Sequence, residues 1–171
     1  DLVTVSHEHH DHNNLDMVEG RPKVAREARA AQVGGVTTQA VTSYHDDRGG
    51  ALRGTNTVRI FTAGGLSVAH LGDLGHQLTV EQAAAIGPVD AVLVPVGGVY
   101  TVDAAGAKAV CDALHPRCVV PMHYHHAPYG LTEVDSVEPF LEQWSSEAVH
   151  HLQGAAFELT KQTAGVMVPS F

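Results

Sequence analysis

Apolar and polar positions in this chain form short β-rich runs, and several of the runs end on a histidine or an aspartate. Residues 2–5 predict a strand feeding a polar, His-dense loop from Ser6 to Asn14. Residues 36–44 predict a second strand, with the turn-forming Asp46-Asp47-Arg48-Gly49-Gly50 just after His45. Residues 57–62 and 66–71, joined by Ala63-Gly64-Gly65, predict a hairpin followed by Gly72-Asp73. Thr79 with Gln82 forms a capping box for a short helix that Gly87-Pro88 stops, and the apolar strand 91–96 ends at Gly97-Gly98. Asp103 caps a helix to about Leu114, before Pro116, and the buried strand 118–121 runs into Met122-His123. Asp135 with Glu138 predicts the cap of a helix around 140–144, and 156–160 and 166–168 predict the last strands. This alternation predicts one mixed α/β layered domain over residues 1–171, with its functional groups on loops at one sheet edge.

Charge and composition narrow the partners. Ten Lys and Arg against 19 Asp and Glu give a formal charge of −9, which argues against nucleic acid or an anionic membrane as partner. A small-molecule substrate is expected instead, and a homo-oligomer is compatible with the sequence. The 13 histidines outnumber Lys and Arg together, which points to imidazole used for metal. Cys111 and Cys118 lack C-x-x-C spacing and read as buried free thiols of a reducing compartment. No apolar run approaches 18 residues and residues 1–20 lack a basic-then-apolar leader, so a cytoplasmic protein is expected. The chain enters a strand directly at Asp1 without an initiator Met, so an upstream segment of the natural protein is expected.

The chemistry concentrates in His7-Glu8-His9-His10-Asp11-His12, an H-x-H-x-D-H pattern. On an extended run, His7 and His9 project to the same side and suit one metal. Asp11 and His12 follow as the chain turns and suit a second, at a two-metal spacing of about 3.5–4 Å. Nitrogen and oxygen ligands without thiolate favour Zn, with Mn and Fe also fitting. Two dications lower the pKa of a shared water from 15.7 towards about 7, which makes hydroxide the expected nucleophile. Asp11 or Asp73 is then placed to receive a proton.

The segment resembles the signature of the metallo-β-lactamase-fold superfamily. His45, Gly72-Asp73 and His123 follow in the order that superfamily uses, each after a predicted strand. The resemblance implies an αββα sandwich, here N-terminally truncated, and a dinuclear hydrolase. It implies a first metal on His7, His9 and His45, a second on Asp11, His12 and His123, and Asp73 bridging. Leu71-Gly72-Asp73-Leu74-Gly75-His76, Pro95-Val96-Gly97-Gly98 and Pro121-Met122-His123-Tyr124 look most like the branch related to L-ascorbate-6-phosphate lactonase. Two features depart from the pattern: no early Asp precedes Asp1, and Asn13-Asn14 replaces the x-x-Gly of glyoxalase II relatives.

The expected activity is hydrolysis of a lactone, phosphoester or similar bond. A nuclease of the same fold is the second reading, with Lys161 and the region from Arg21 to Arg29 as its thin basic support. A non-catalytic metal-binding module is the third, and a mononuclear iron oxygenase the fourth. The remaining histidines read as surface or supporting residues, with His70 and His76 flanking Asp73 divided between support and packing. Residues 97–101 are open to two readings, a backbone cradle for an anion or a tight strand-to-helix turn. Tyr44, Tyr100 and Tyr124 lie near the motifs and read mainly as packing, with donation to an oxyanion as the alternative.

Overall fold

Hydrogen-bond ladders organise the chain into a mixed eight-stranded sheet and a two-stranded one. The structure is a computed structural model and describes residues 1–26 and 29–170. Its strands are β1 (Leu2–Thr4), β2 (Lys23–Ala25), β3 (Ala31–Val33), β4 (Val36–Tyr44), β5 (Thr55–Ala63), β6 (Leu66–His70), β7 (Ala91–Pro95), β8 (Cys118–Met122), β9 (Val149–His151) and β10 (Gly165–Val168). The helices are α1 (Val80–Ile86), α2 (Ala104–Leu114) and α3 (Glu138–Leu141). In the large sheet the order is β3-β4-β5-β6-β7-β8-β10-β9, and β1 pairs in parallel with β2.

Strand direction decides where the loops gather. β4 and β6 both run antiparallel to β5, while β6, β7 and β8 are mutually parallel. The C-terminal ends of β4, β6, β7 and β8 therefore share one sheet edge, the edge where open α/β sheets place their ligands. His45, Asp73, Gly97 and His123 follow those four ends.

Period-2 alternation divides the side chains between two faces. Val92, Val94, Val119, Val166 and Val168 join the main core under the helices, while Ala91, Cys118 and Met167 form a smaller cluster on the opposite face. The expected capping box at Thr79 and Gln82 is formed, and Asp103 accepts from the Gly106 amide to cap α2. Both cysteines are free and buried, and burial pushes their thiols up to about 12 for Cys111 and about 11 for Cys118. Among the described residues no helix is long and apolar enough to cross a membrane.

Two expectations need correction, and three short strands were not anticipated. Asp135 does not cap α3; the cap is Val137, without a side-chain hydrogen bond. Proline has no N–H, so Pro139 is accommodated at the second helical position, whereas an Asp135 cap would put it at the fourth, where the first intrahelical N–H is needed. Residues 156–160 form no strand, because Thr160 instead closes a local turn with Thr163. β9 was not anticipated, since it is a three-residue edge strand carrying exposed His150 and His151 and is held by its ladder to β10. β2 and β3, equally short, likewise lack an apolar run of their own.

The two-stranded sheet carries the His-dense loop, so its attachment matters to the site. The Thr57 amide donates to Ser6 O at 2.8 Å, and the buried Arg59 guanidinium donates to Ala25 O at 2.9 Å and Arg29 O at 3.1 Å. Buried carbonyls that lose such donors cost about 1–3 kcal/mol. Arg59→Met, which keeps much of the stem volume, should therefore lower unfolding stability by roughly 2 kcal/mol in urea titration. An unchanged midpoint would show that Arg59 does not tether this sheet.

Candidate metal centre

The loop after β1 folds back on itself because the His12 and Asn13 amides both donate to His9 O, at 2.9 and 3.1 Å. That turn brings the His12 ring to 4.3 Å from the His7 ring, with His9 at 4.7 Å from His7 on the other side. His45 arrives from β4, its ring 4.9 Å from His7 and 5.0 Å from His9. Asp73, buried after β6, is the point on which these side chains converge. Its Oδ2 lies 3.1 Å from His45 Nε2, 3.3 Å from His12 Nε2, 3.5 Å from His123 Nε2 and 3.8 Å from His7 Nε2.

Two three-residue groups have ligand atoms close enough to share an ion: His7, His9 and His45, and His7, His12 and Asp73. Of the seven residues expected from the sequence, five thus fall into these groups, and His123 joins them through Asp73 Oδ2. Asp11 stays at the rim, its carboxylate largely exposed and 3.7 Å from His12 Nε2. A metal fits the donor set on one further observation: His7 Nε2 is buried and has no hydrogen-bond partner among the described residues. Leaving such an atom unpaired is costly unless something coordinates it.

Burial and the Asp73 charge act on these imidazoles in opposite directions. Burial lowers the His7 imidazole to about 4, and the neighbouring His12, His45 and His9 add to this against the pull of Asp73, so His7 is neutral at pH 7. Burial also lowers His45, but the hydrogen bond and charge of Asp73 reverse this and raise it above the ordinary histidine range. Asp73 would be raised by burial, yet the His45 hydrogen bond and the charges of His12, His123 and His7 hold it below the usual carboxylate range.

Backbone partners orient these rings. His45 Nδ1 lies 3.0 Å from Tyr100 O, which can only accept, so Nδ1 carries the proton and Nε2 faces Asp73. Asn56, fully buried, donates from Nδ2 to Leu71 O and Ser43 Oγ, and its Oδ1 accepts from the Asp73 amide at 3.0 Å. Gly72 sits at φ +57°, and a Cβ there would lie 2.3 Å from Asn56 Oδ1. Gly75 passes so close to His45 that a Cβ would lie 2.4 Å from its carbonyl carbon.

A comparison with known proteins bears on this arrangement. The family model described as a beta-lactamase superfamily domain matches residues 1–123. The chain belongs to this superfamily. A solved structure from Thermotoga maritima, described as a candidate Zn-dependent hydrolase of the metallo-beta-lactamase superfamily, is 36% identical with a TM-score of 0.83, over 99% of this chain and 81% of that one. A UPF0173 metal-dependent hydrolase of Carboxydothermus hydrogenoformans is 36% identical over 75 residues, 44% of this chain and 33% of its own length. Another, from Hyperthermus butylicus, is 23% identical over 86% of this chain and 76% of its own length. The matched stretch thus spans a third of the first relative and three quarters of the second. The α/β metallo-β-lactamase fold expected from the motifs is therefore present, with β1 and β2 as its smaller sheet among the described residues.

Within this superfamily frame, several residues of open role acquire one. His76 Nε2 accepts from the Tyr44 amide and its Nδ1 donates to Gln77 O, fixing the backbone just before His45. His70 Nδ1 accepts from the Gly72 amide, bracing the turn that presents Asp73. Residues 97–101 form the tight turn: the Gly97, Gly98, Tyr100 and Thr101 amides donate to backbone carbonyls, so no anion cradle is left. The Tyr100 hydroxyl donates to Glu133 at 3.1 Å. The metal-site cavity holds about 300 Å3 and is bordered by His9, Asp11, His45, Arg53, Asp73 and His123 among others. A larger cleft of about 580 Å3 beside β2 brings together no such ligand set.

Asp46, expected simply to form the turn after His45, does more. Its carboxylate accepts from the Arg48, Gly50, Leu52 and Arg53 amides at 2.7–2.9 Å. Burial would raise this carboxyl, and the Arg53, Arg48, Leu52 and Gly50 amides outweigh it, taking it from 3.8 to about 2. A depressed folded-state pKa gives stability that is present above the unfolded value and lost as pH falls through the folded one. Asp46→Asn, whose amide nitrogen cannot accept, should melt several degrees below wild type at pH 7. The gap should close as pH falls from 3.8 towards about 2, where wild type loses the charge as well. Thermal melts across pH read this out, and a gap independent of pH would refute the role of the charge.

Proposed function

We propose that this chain is a metal-dependent hydrolase of small molecules, built on a dinuclear site and acting on a lactone, phosphoester or similar bond. The observation carrying this reading is the convergence of four imidazole Nε2 atoms on Asp73 Oδ2, within 3.1–3.8 Å, beside a cavity of about 300 Å3. Two ions would be held by His7, His9 and His45 and by Asp11, His12 and His123, with the Asp73 carboxylate available to both, a reading supported by the crowding of these donors around Asp73. The nitrogen and oxygen donors favour Zn, and Mn and Fe also suit them. The relatives called metal-dependent hydrolases support the reaction class.

When bound, the divalent cations supply Lewis acidity that acidifies water and polarises the scissile group. The chain's own residues supply the rest. His7 offers a neutral imidazole, and Tyr100 O fixes the His45 tautomer so that Nε2 faces inward. Asp73 stays ionised within the cluster and Asp11 stands at the open rim, where it can take up a proton. A cavity of about 300 Å3 lies at the small end of ligand pockets, and among the described residues Arg53 is its single lining Lys or Arg, which favours a small molecule over a nucleic acid. A cytoplasmic location, supported by two buried free cysteines, belongs to the same reading. The motifs similar to the ascorbate-6-phosphate lactonase branch put lactones first among the substrates to be tried.

Elemental analysis of the metal-loaded protein should give two ions per chain, and chelation should abolish hydrolysis across a panel of lactones and p-nitrophenyl phosphoesters. Asp73→Asn should lower the content of both ions and reduce turnover by at least about 100-fold, because the missing charge no longer offsets dication repulsion. His45→Ala should retain part of the metal held by His7, His12 and Asp73. His115→Gly, at a helix end with φ +49° and outside the cluster, should leave both readouts unchanged. Wild-type metal affinity and rate in Asp73→Asn would overturn the bridging role, and one ion with full activity would overturn the dinuclear reading.

A further inference from the structure

We infer that Arg53 determines specificity for a substrate carrying an oxyanion, a carboxylate or phosphate away from the bond that is cut; this rests on the hydrolase reading above. Among the described residues Arg53 is the single Lys or Arg bordering the metal-site cavity, and it also borders the adjoining cleft beside His7 and His9. Its guanidinium has no carboxylate partner among the described residues, whereas Arg26 pairs with Glu8, Arg117 and Lys161 with Asp90, and Lys108 with Asp112. In a chain of net charge −9, a half-buried cation beside the site without an acidic partner is available to an incoming anion.

The surrounding structure holds that cation in place. The Arg53 amide donates to Asp46 Oδ2 at 2.7 Å, the Gly54 amide to Gly50 O at 3.0 Å, and the His45 amide to Gly54 O at 3.0 Å. The loop from His45 to Gly54 is thereby closed around Asp46, with a prospective metal ligand at one end and Arg53 near the other. The guanidinium lies over the Tyr100 ring, 5.5 Å from its centroid, and that ring is anchored by its hydroxyl bond to Glu133. Tyr100 also fixes His45 through its carbonyl, so the same two segments position the metal-facing imidazole and the cation. A guanidinium stacked in this way still presents its N–H edge, whose fork geometry matches a carboxylate or phosphate.

Two p-nitrophenyl esters matched in size, the hemisuccinate with a free carboxylate and the uncharged butyrate, test this on the metal-loaded full chain. Arg53→Gln should raise KM for the hemisuccinate on the order of 10–100-fold, with kcat within about threefold. The butyrate should change less than about twofold and metal content should stay at the wild-type value. Arg53→Lys, which keeps the charge but not the fork, should recover part of the KM. Equal effects on both esters, or none on either, would overturn the inference. If neither ester is turned over and the lactone and phosphoester panel is inert as well, the hydrolase reading fails separately; in either case calorimetric titration of the metal-loaded protein with inorganic phosphate still decides the role of Arg53. Affinity about tenfold weaker in Arg53→Gln than in wild type would support it, and equal affinity would sink it.

Discussion

The structure depends on keeping one carboxylate, Asp73, ionised while 5% exposed. A buried charge is tolerated only when opposite charge and hydrogen bonds surround it. Here four imidazole nitrogens lie within 3.8 Å of a single oxygen. They cannot all answer it as cations: burial, helped by the neighbouring imidazoles, drives His7 down to about 4, while the hydrogen bond and charge of Asp73 raise His45. Such a set, with one carboxylate among imidazole nitrogen donors, matches the ligand preference of divalent metal.

That constraint explains why so much of the neighbouring chain is devoted to holding backbone. Asn56 ties the Asp73 amide to β4 and β5, His70 braces Gly72, His76 holds Tyr44, and Tyr100 O sets the His45 tautomer. Each partner acts at the strand end that carries a converging residue. Gly72 and Gly75 permit backbone approaches that any side chain would obstruct. Precision at the site comes from these secondary bonds on rigid strands.

Residues that meet the site directly were legible in the sequence, and those that support it were mostly not. His7, His9, His12, His45, Asp73 and His123 each follow an apolar run, so the pattern of strands marks them as loop residues at strand ends. Asn56 and Arg53 carry no comparable mark, because their roles depend on contacts between segments brought together by β-pairing. Asp46 was readable as a turn former, but the number of amides it collects depends on how residues 48–53 curl around it. The same division holds for the fold: α2, with its Asp103 cap, declares itself locally, while β9 exists only because β10 offers it a ladder.

The sheet separates stability from chemistry by direction. Its parallel centre buries Val92, Val94, Val119 and Val166 completely or nearly so, and these residues contribute packing without approaching the metal-site cavity. The loops at the shared C-terminal edge add Leu71, Leu74, Val96 and Val102 to that core and also carry imidazoles that converge on Asp73. Such an edge tolerates variation in the residues that meet a substrate, provided that the backbone bonds behind them persist. Asp46 shows how closely the two are joined: its four amide bonds stabilise a loop, and one of them sets the backbone of Arg53, a cation bordering the cavity beside the histidine cluster. A change in that loop therefore reaches charge presentation at the cavity without altering any residue of the histidine cluster.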